Sequence, residues 1–168
     1  GINHKHFKYD HVNRRARRQV GSTFKPIVYA TAIDINQMTP CTEFPRERTT
    51  FFSGGQEWSP RNADGKSGGV WTMSRGLAQS DNLITAQVMK SLGDDAPDIV
   101  VKFAERVGIE ANRIPKVPSI CLGTMELSPF EMASAYSAFA NNGLWVEPTF
   151  LLRIEDKNGN ILEDFNQP

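Results

Sequence analysis

Apolar residues recur at helical spacing in several blocks, separated by stretches rich in glycine and proline. The first block, Ile27-Val28-Tyr29-Ala30-Thr31-Ala32-Ile33, follows Gly21-Ser22-Thr23-Phe24-Lys25-Pro26 and predicts a helix from Ser22 to about Asn36. Residues 38–69 carry Pro40, Pro45, Pro60, Gly54-Gly55 and Gly65, and read as loop with a short strand over 49–52. From Thr72 the pattern is helical again. Thr72 is placed to cap a helix over 73–79, Ser80-Asp81-Asn82 breaks it, and a second segment runs over 83–92 to Gly93. A further helix over 95–107 sets Ile99, Val100, Phe103, Ala104 and Val107 on one face and closes at Gly108. Pro115 and Pro118 predict an extended link. Ser128-Pro129-Phe130-Glu131 then opens a helix with proline at its first position, and Gly143 ends it. Residues 149–155 and 161–163 flank Lys157-Asn158-Gly159-Asn160, where the Asn-Gly pair predicts a β-hairpin.

Composition narrows the classes. The 168 residues are 39% hydrophobic, with 19 basic and 19 acidic side chains and a net charge of +0. That is one domain, long enough for a core, and its charge balance argues against a general nucleic-acid or membrane-surface binder. No apolar run approaches the roughly 18–20 residues of a spanning helix. No signal peptide is visible and the chain begins at Gly1, so it reads as a piece of something longer. Cys41 and Cys121 are too few for a disulfide framework and lack metal-ligand spacing; two separate buried thiols are expected, with pairing open in an oxidising compartment. His4, His6 and His11 raise a zinc site, but no carboxylate or cysteine pattern supports it against a solvated loop. Residues 62–69, framed by Trp58 and Trp71, lack the residue order of a phosphate loop. No cofactor is implied.

The candidate chemistry lies at Ser22 and Lys25. One helical turn apart, their hydroxyl and amine share a face, and a lysine of lowered pKa can activate a serine nucleophile. A helix N-terminus adds N–H groups that favour an oxyanion. The alternative is that Ser22 simply caps the helix. Arg14, Arg15, Arg17 and Arg18 stand just upstream. They could bind nucleic acid, supply positive potential that keeps Lys25 neutral and attracts a carboxylate, or form a solvated face. Ser80-Asp81-Asn82, between two helices, can project a hydroxyl for proton transfer and an amide for holding a peptide backbone.

Ser-x-x-Lys followed by Ser-Asp-Asn is the motif pair of penicillin-binding proteins and class A β-lactamases. The segment Arg17-Arg18-Gln19-Val20-Gly21-Ser22-Thr23-Phe24-Lys25-Pro26 resembles the nucleophile segment of class A, bifunctional penicillin-binding proteins. Trp58-Ser59-Pro60-Arg61-Asn62-Ala63-Asp64-Gly65 resembles their approach to the second motif. Leu122-Gly123-Thr124, Ser128 through Tyr136 and Phe139-Ala140-Asn141-Asn142-Gly143 resemble the helix that follows, and Arg153 through Gly159 the next hairpin.

The resemblance implies an α+β fold of the penicillin-binding transpeptidase and serine β-lactamase kind. Residues 1–168 would be a partial transpeptidase domain, mostly helical with a C-terminal hairpin and lacking most of the central antiparallel sheet. It implies that Ser22 attacks a peptide ending in D-alanyl-D-alanine with Lys25 as base, that Ser80 passes a proton to the leaving amine, and that Asn82 orients the donor. A neighbouring stem peptide then takes the acyl group, and β-lactams trap Ser22. The parent would be membrane-anchored on the extracytoplasmic face of the bacterial inner membrane and carry a glycosyltransferase domain.

The family's Lys-Thr/Ser-Gly motif is expected on a strand beyond the hairpin. Lys66-Ser67-Gly68 spells it between the first two motifs, where it reads as a decoy, so catalysis by this chain is expected to be impaired. Two alternatives stand beside this reading. A serine β-lactamase would need a Glu-x-x-Leu-Asn loop after Asn82, and none follows; a non-catalytic packing or binding fragment would need no complete site. Open strand edges and apolar surface would favour self-association.

Overall fold

The computed structural model describes residues 5, 10, 12, 13 and 15–165, and in it strands occur only as short antiparallel pairs around a helical core. β1 (Arg18–Gln19) leads through a 3-10 turn, Gly21–Phe24, into α1 (Lys25–Asn36). There follow β2 (Glu43–Pro45), β3 (Phe51–Ser53), β4 (Gln56–Trp58) and β5 (Val70–Thr72). Three helices come next: α2 (Met73–Ala78), α3 (Asn82–Ser91) and α4 (Ala96–Arg106). Two 3-10 turns, Ala111–Arg113 and Pro118–Leu122, then reach β6 (Glu126–Leu127) and α5 (Pro129–Ala140). The last hairpin joins β7 (Arg153–Glu155) to β8 (Ile161–Asp164). β1 pairs with β6, β2 with β5, β3 with β4 and β7 with β8, so two pairs join segments remote in sequence.

α2, α3 and α5 each start at a side-chain cap. Thr72 Oγ1 accepts the Arg75 N–H at 3.2 Å, and Asp81 Oδ1 accepts the Ile84 N–H at 2.9 Å. Ser128 and Glu131 form a reciprocal capping box before Pro129 opens α5, satisfying N–H groups that have no partner inside the helix. The core lies where α1, α3 and α4 pack on one another. Leu83, Ile84, Ala86, Val88 and Met89 of α3 are buried with Ile27, Val28 and Ala32 of α1 and Val100 and Ala104 of α4. On the expected face of α4, Val100, Ala104 and Val107 are buried, while Ile99 and Phe103 pack at its edge.

The stretch expected to be loop is more ordered than its composition suggests. The strand predicted over 49–52 is Phe51–Ser53, and it pairs with β4 across Gly54-Gly55, whose φ angles of 58° and 77° suit a tight hairpin turn. β2 and β5 are further strands in this region. The link expected to be extended at Pro118 is instead a 3-10 turn that buries Ile120 and Cys121. Cys121 is the one buried thiol; Cys41 is exposed, and both are free. His4, His6 and His11 lie outside the described residues. The C-terminal hairpin forms as expected, its turn organised by Asp156, which accepts from the backbone of Asn158 and Asn160.

Apolar surface and open strand edges remain. Ile33 and Ile35 on α1, Tyr136 and Phe139 on α5, and Phe150, Leu152, Ile161 and Leu162 around the last hairpin are exposed. No helix among the described residues is long and apolar enough to cross a membrane.

One close backbone approach holds the turn before α1. Gly21 N donates to Gly123 O at 2.9 Å, and Val20 N to Met125 O at 3.1 Å. Gly123 has φ 71°, and a Cβ there would stand 1.9 Å from Gly21 O. Gly123→Ala is therefore expected to destabilise the fold by about 3 kcal/mol, from overpacking added to left-handed strain, as read by urea unfolding.

Candidate functional site

Gly21, at φ 55°, turns the chain so that Ser22 sits in the 3-10 turn rather than at the first position of α1. Neither that turn nor α1 receives a side-chain cap, so Ser22 caps no helix and its exposed hydroxyl is left for other chemistry. The turn is braced by Thr23 Oγ1 donating to Val20 O at 2.7 Å and by the Tyr136 hydroxyl donating to Thr23 O at 2.6 Å.

Lys25 opens α1 and is 1% exposed. Its Nζ lies 2.5 Å from Ser80 O, 2.7 Å from Asn82 Oδ1 and 3.1 Å from Ser80 Oγ. Burial holds its pKa below the ordinary lysine value, against the opposing charge of Asp81. Burial, not the upstream arginines, is the cause. Nζ donates in all three contacts, so Ser80 O, Asn82 Oδ1 and Ser80 Oγ together satisfy its polar valences. The sequence-selected Lys25, Ser80 and Asn82 thus meet at one atom. Ser22 lines a cleft of about 380 Å³ together with Ser80 and Asn82, but makes no hydrogen bond to Lys25 among the described residues.

Ser80 reaches this position at φ 51°, a left-handed conformation that a residue with a Cβ adopts at a cost of about 1–2 kcal/mol. What holds it is Asp81, 4% exposed. Asp81 Oδ2 accepts from Arg46 Nε at 2.6 Å and Asn62 Nδ2 at 2.8 Å, while Oδ1 caps α3 through Ile84. Burial pushes its carboxyl up, but the Ile84 N–H, Arg46 and Asn62 outweigh it and hold the pKa below the usual range. Asn62 Oδ1 also accepts the Asn82 N–H at 2.8 Å, and Asn82 Nδ2 donates to Arg61 O at 2.9 Å.

Arg46 and Asn62 are the members that sequence reasoning left without a role. Asn62 lay inside a quoted resemblance, which was the available signal; Arg46 had none. Lys66-Ser67-Gly68 lies in irregular backbone, as expected of a decoy, and Gly68 N donates to Arg46 O at 2.7 Å, which steadies Arg46. Arg15 and Arg17 line a separate open hollow with Glu110 and Arg113, and Arg18 pairs with Leu127 in β1. Among the described residues no group of histidine, cysteine or carboxylate side chains could hold a metal ion.

The family profile of the penicillin binding protein transpeptidase domain matches residues 3–167. Penicillin-binding protein 1A of Vibrio cholerae serotype O1 is 33% identical over 163 residues, which is 96% of this chain and 19% of that protein. Penicillin-binding protein 1A of Escherichia coli strain K12 is 31% identical over 150 residues, 88% of this chain and 17% of that protein. The chain thus spans about a fifth of the length of the curated relatives it matches. Penicillin-binding protein 1A from Haemophilus influenzae superposes with a TM-score of 0.86 at 28% identity, over 99% of this chain and 24% of that one. The PonA1 protein of Mycobacterium tuberculosis in complex with penicillin V shares the fold, with a TM-score of 0.75 at 23% identity over 93% of this chain and 43% of that one.

Asp81→Asn tests the anchor. It leaves the Arg46 guanidinium buried without its counter-charge, and the expected loss is about 3 kcal/mol. Because the folded pKa of Asp81 is depressed, its contribution is full above the unfolded value of about 4 and is lost as pH falls through the folded one. Urea midpoints measured from pH 6 to pH 3 should therefore fall less steeply in the variant.

Proposed function

The chain belongs to the penicillin-binding protein transpeptidase family, and on that premise we propose that it carries the acyl-transfer centre of a serine-type D,D-transpeptidase. Its substrates are then peptidoglycan stem peptides ending in D-alanyl-D-alanine, and β-lactams are its covalent inhibitors. The observation that supports this reading is the convergence of Ser80 O, Ser80 Oγ and Asn82 Oδ1 on the buried Lys25 amine, beside an uncapped Ser22.

Ser22 Oγ bonds the carbonyl carbon of the penultimate D-alanine as its proton passes to Lys25. Catalytic hydrogen bonds of this kind commonly tighten only when substrate is bound. The developing oxyanion meets the Ser22 N–H near the positive end of α1. The C–N bond then breaks, and the Ser80 hydroxyl, in contact with Nζ, returns the proton to the departing D-alanine nitrogen. Asn82 orients the donor peptide. An amine from a second stem peptide takes the acyl group and cross-links the wall. Since Lys66-Ser67-Gly68 is loop and not a strand at the cleft, acylation is expected to be slow but dependent on Ser22.

No Glu-x-x-Leu-Asn pattern follows Asn82, so deacylation by water is expected to be slow, which separates this reading from a β-lactamase. The parent protein is proposed to be membrane-anchored with this domain on the extracytoplasmic side. The exposed apolar positions make self-association of the isolated chain the expected behaviour, seen as concentration-dependent sedimentation.

Intact mass after incubation with benzylpenicillin is the test. A stoichiometric adduct is expected, absent from Ser22→Ala and Lys25→Ala; an adduct that survives in Ser22→Ala overturns the reading. The acylation rate should climb with pH along a limb centred below 10.5, because burial lowers the Lys25 pKa and only the neutral amine accepts the proton.

A further inference from the structure

Arg61 and Asn62 reach the site from the irregular segment between β4 and β5, and the acyl-transfer steps make no use of them. Asn82, which orients the donor in those steps, has both ends of its carboxamide engaged. Oδ1 accepts from the Lys25 amine at 2.7 Å, and Nδ2 donates to Arg61 O at 2.9 Å. A backbone carbonyl can only accept, so the NH2 end has to face Arg61. Turning the amide over would set oxygen against oxygen there and an NH2 group against the amine. Arg61 O therefore decides which end of Asn82 meets Lys25. It also leaves one Nδ2–H over, on a residue that lines the cleft.

A carbonyl in irregular backbone can set that orientation only if the backbone is held. Asn62 holds it. Its Oδ1 accepts the Asn82 N–H at 2.8 Å, and its Nδ2 gives its two hydrogens to Asp81 Oδ2 at 2.8 Å and Lys66 O at 3.0 Å. Gly65 N donates to Asn62 O at 3.0 Å, which closes a turn on one side, and on the other side Pro60 is buried. The peptide that carries Arg61 O is thus fixed by a side chain tied to the same turn that this oxygen serves. Arg46 bonds to Asp81, whereas Asn62 bonds to Asp81 and Asn82 together.

Resting on the transpeptidase reading, we propose that Asn62 is a positioning residue for acyl transfer that acts through Asn82. By fixing Arg61 O it keeps Asn82 Oδ1 on the Lys25 amine and the remaining Asn82 N–H available to the donor peptide. The Asn62 carboxamide is itself committed within the protein, so its effect on the reaction is indirect.

The test is a double-mutant cycle on the rate of acylation by benzylpenicillin, followed by intact mass. Asn62→Ala should slow acylation about ten-fold, the loss expected from one hydrogen bond at the site. In an Asn82→Ala background the same change should slow it by less than about two-fold, because the group it positions is gone. Losses that multiply in the double variant send the effect through Asp81 or the fold at large, and overturn the proposal. A second readout needs no penicillin. The Asn82 side-chain NH2 signals in amide NMR spectra, identified by their absence from Asn82→Ala, should exchange slowly with solvent in the unmodified chain and rapidly in Asn62→Ala. Equal protection in both overturns the proposal. Urea midpoints report whether each variant is folded. Asn62→Ser, which keeps a hydroxyl on the side of the Asn82 N–H, takes the place of an Asn62→Ala that does not fold and should show the same pattern at smaller size. Either of these failures leaves the transpeptidase reading in place. No Ser22-dependent adduct in the unmodified chain overturns both.

Discussion

The site depends on one lysine amine being taken out of water. Burial holds the pKa of Lys25 below the ordinary lysine value, the direction the proposed role as a base needs, but it also demands partners for the polar valences of the nitrogen. The two requirements constrain the neighbours. An acid at bonding distance would hold the amine protonated, so the partners must be neutral. Ser80 O, Ser80 Oγ and Asn82 Oδ1 meet that condition. Aiming a carbonyl and a hydroxyl of one residue at one atom is what places Ser80 in the left-handed region. The strain follows from the geometry of a single contact.

A strained residue persists only where its surroundings over-determine it. Here Asp81 is the anchor. Its carboxylate caps α3 on one side and receives Arg46 and Asn62 on the other, so the turn cannot relax without uncapping a helix and exposing a buried ion pair. Asn62 adds a second grip through the Asn82 N–H. The irregular region between α1 and α2 therefore has a mechanical task. Arg46 directly follows β2, the backbone of Gly68 and Gly69 pins it, and the turn carrying Ser80 is clamped from outside the helices that flank it.

This division explains what the sequence revealed. Caps and helix faces depend on residues a few positions apart, and Thr72, Ser128-Pro129 and the face of α4 announced themselves. Gly54-Gly55 was an equally local hairpin signal, overlooked because the surrounding prolines suggested loop. Strands of three residues, such as β2 and β5, carry no period of their own and exist only through pairing. Ser22, Lys25, Ser80 and Asn82 were legible because their spacing and order form a pattern. Arg46 was not, because its partner Asp81 is 35 residues away and nothing local hints at it; Asn62, 19 residues from Asp81, had only its place in the stretch before the second motif to mark it.

The position of Ser22 carries the argument one step further. A serine that begins a helix normally spends its hydroxyl on the backbone N–H groups of the first turn. In this chain α1 begins at Lys25, three residues later, and the intervening turn is held by other means. Gly21 is bonded to Gly123, so closely that no side chain fits at Gly123, and Thr23 O receives the Tyr136 hydroxyl. Tyr136 belongs to α5, whose start is fixed by the Ser128 and Glu131 box and by Arg113, 3.0 Å from Glu131. The brace on the turn thus comes from the far side of the molecule. Because backbone and tyrosine contacts do the holding, the Ser22 hydroxyl makes no hydrogen bond among the described residues, while the amine one turn along is committed to Ser80 and Asn82. A reactive hydroxyl has to be positioned without being consumed, and that is the arrangement the fold provides.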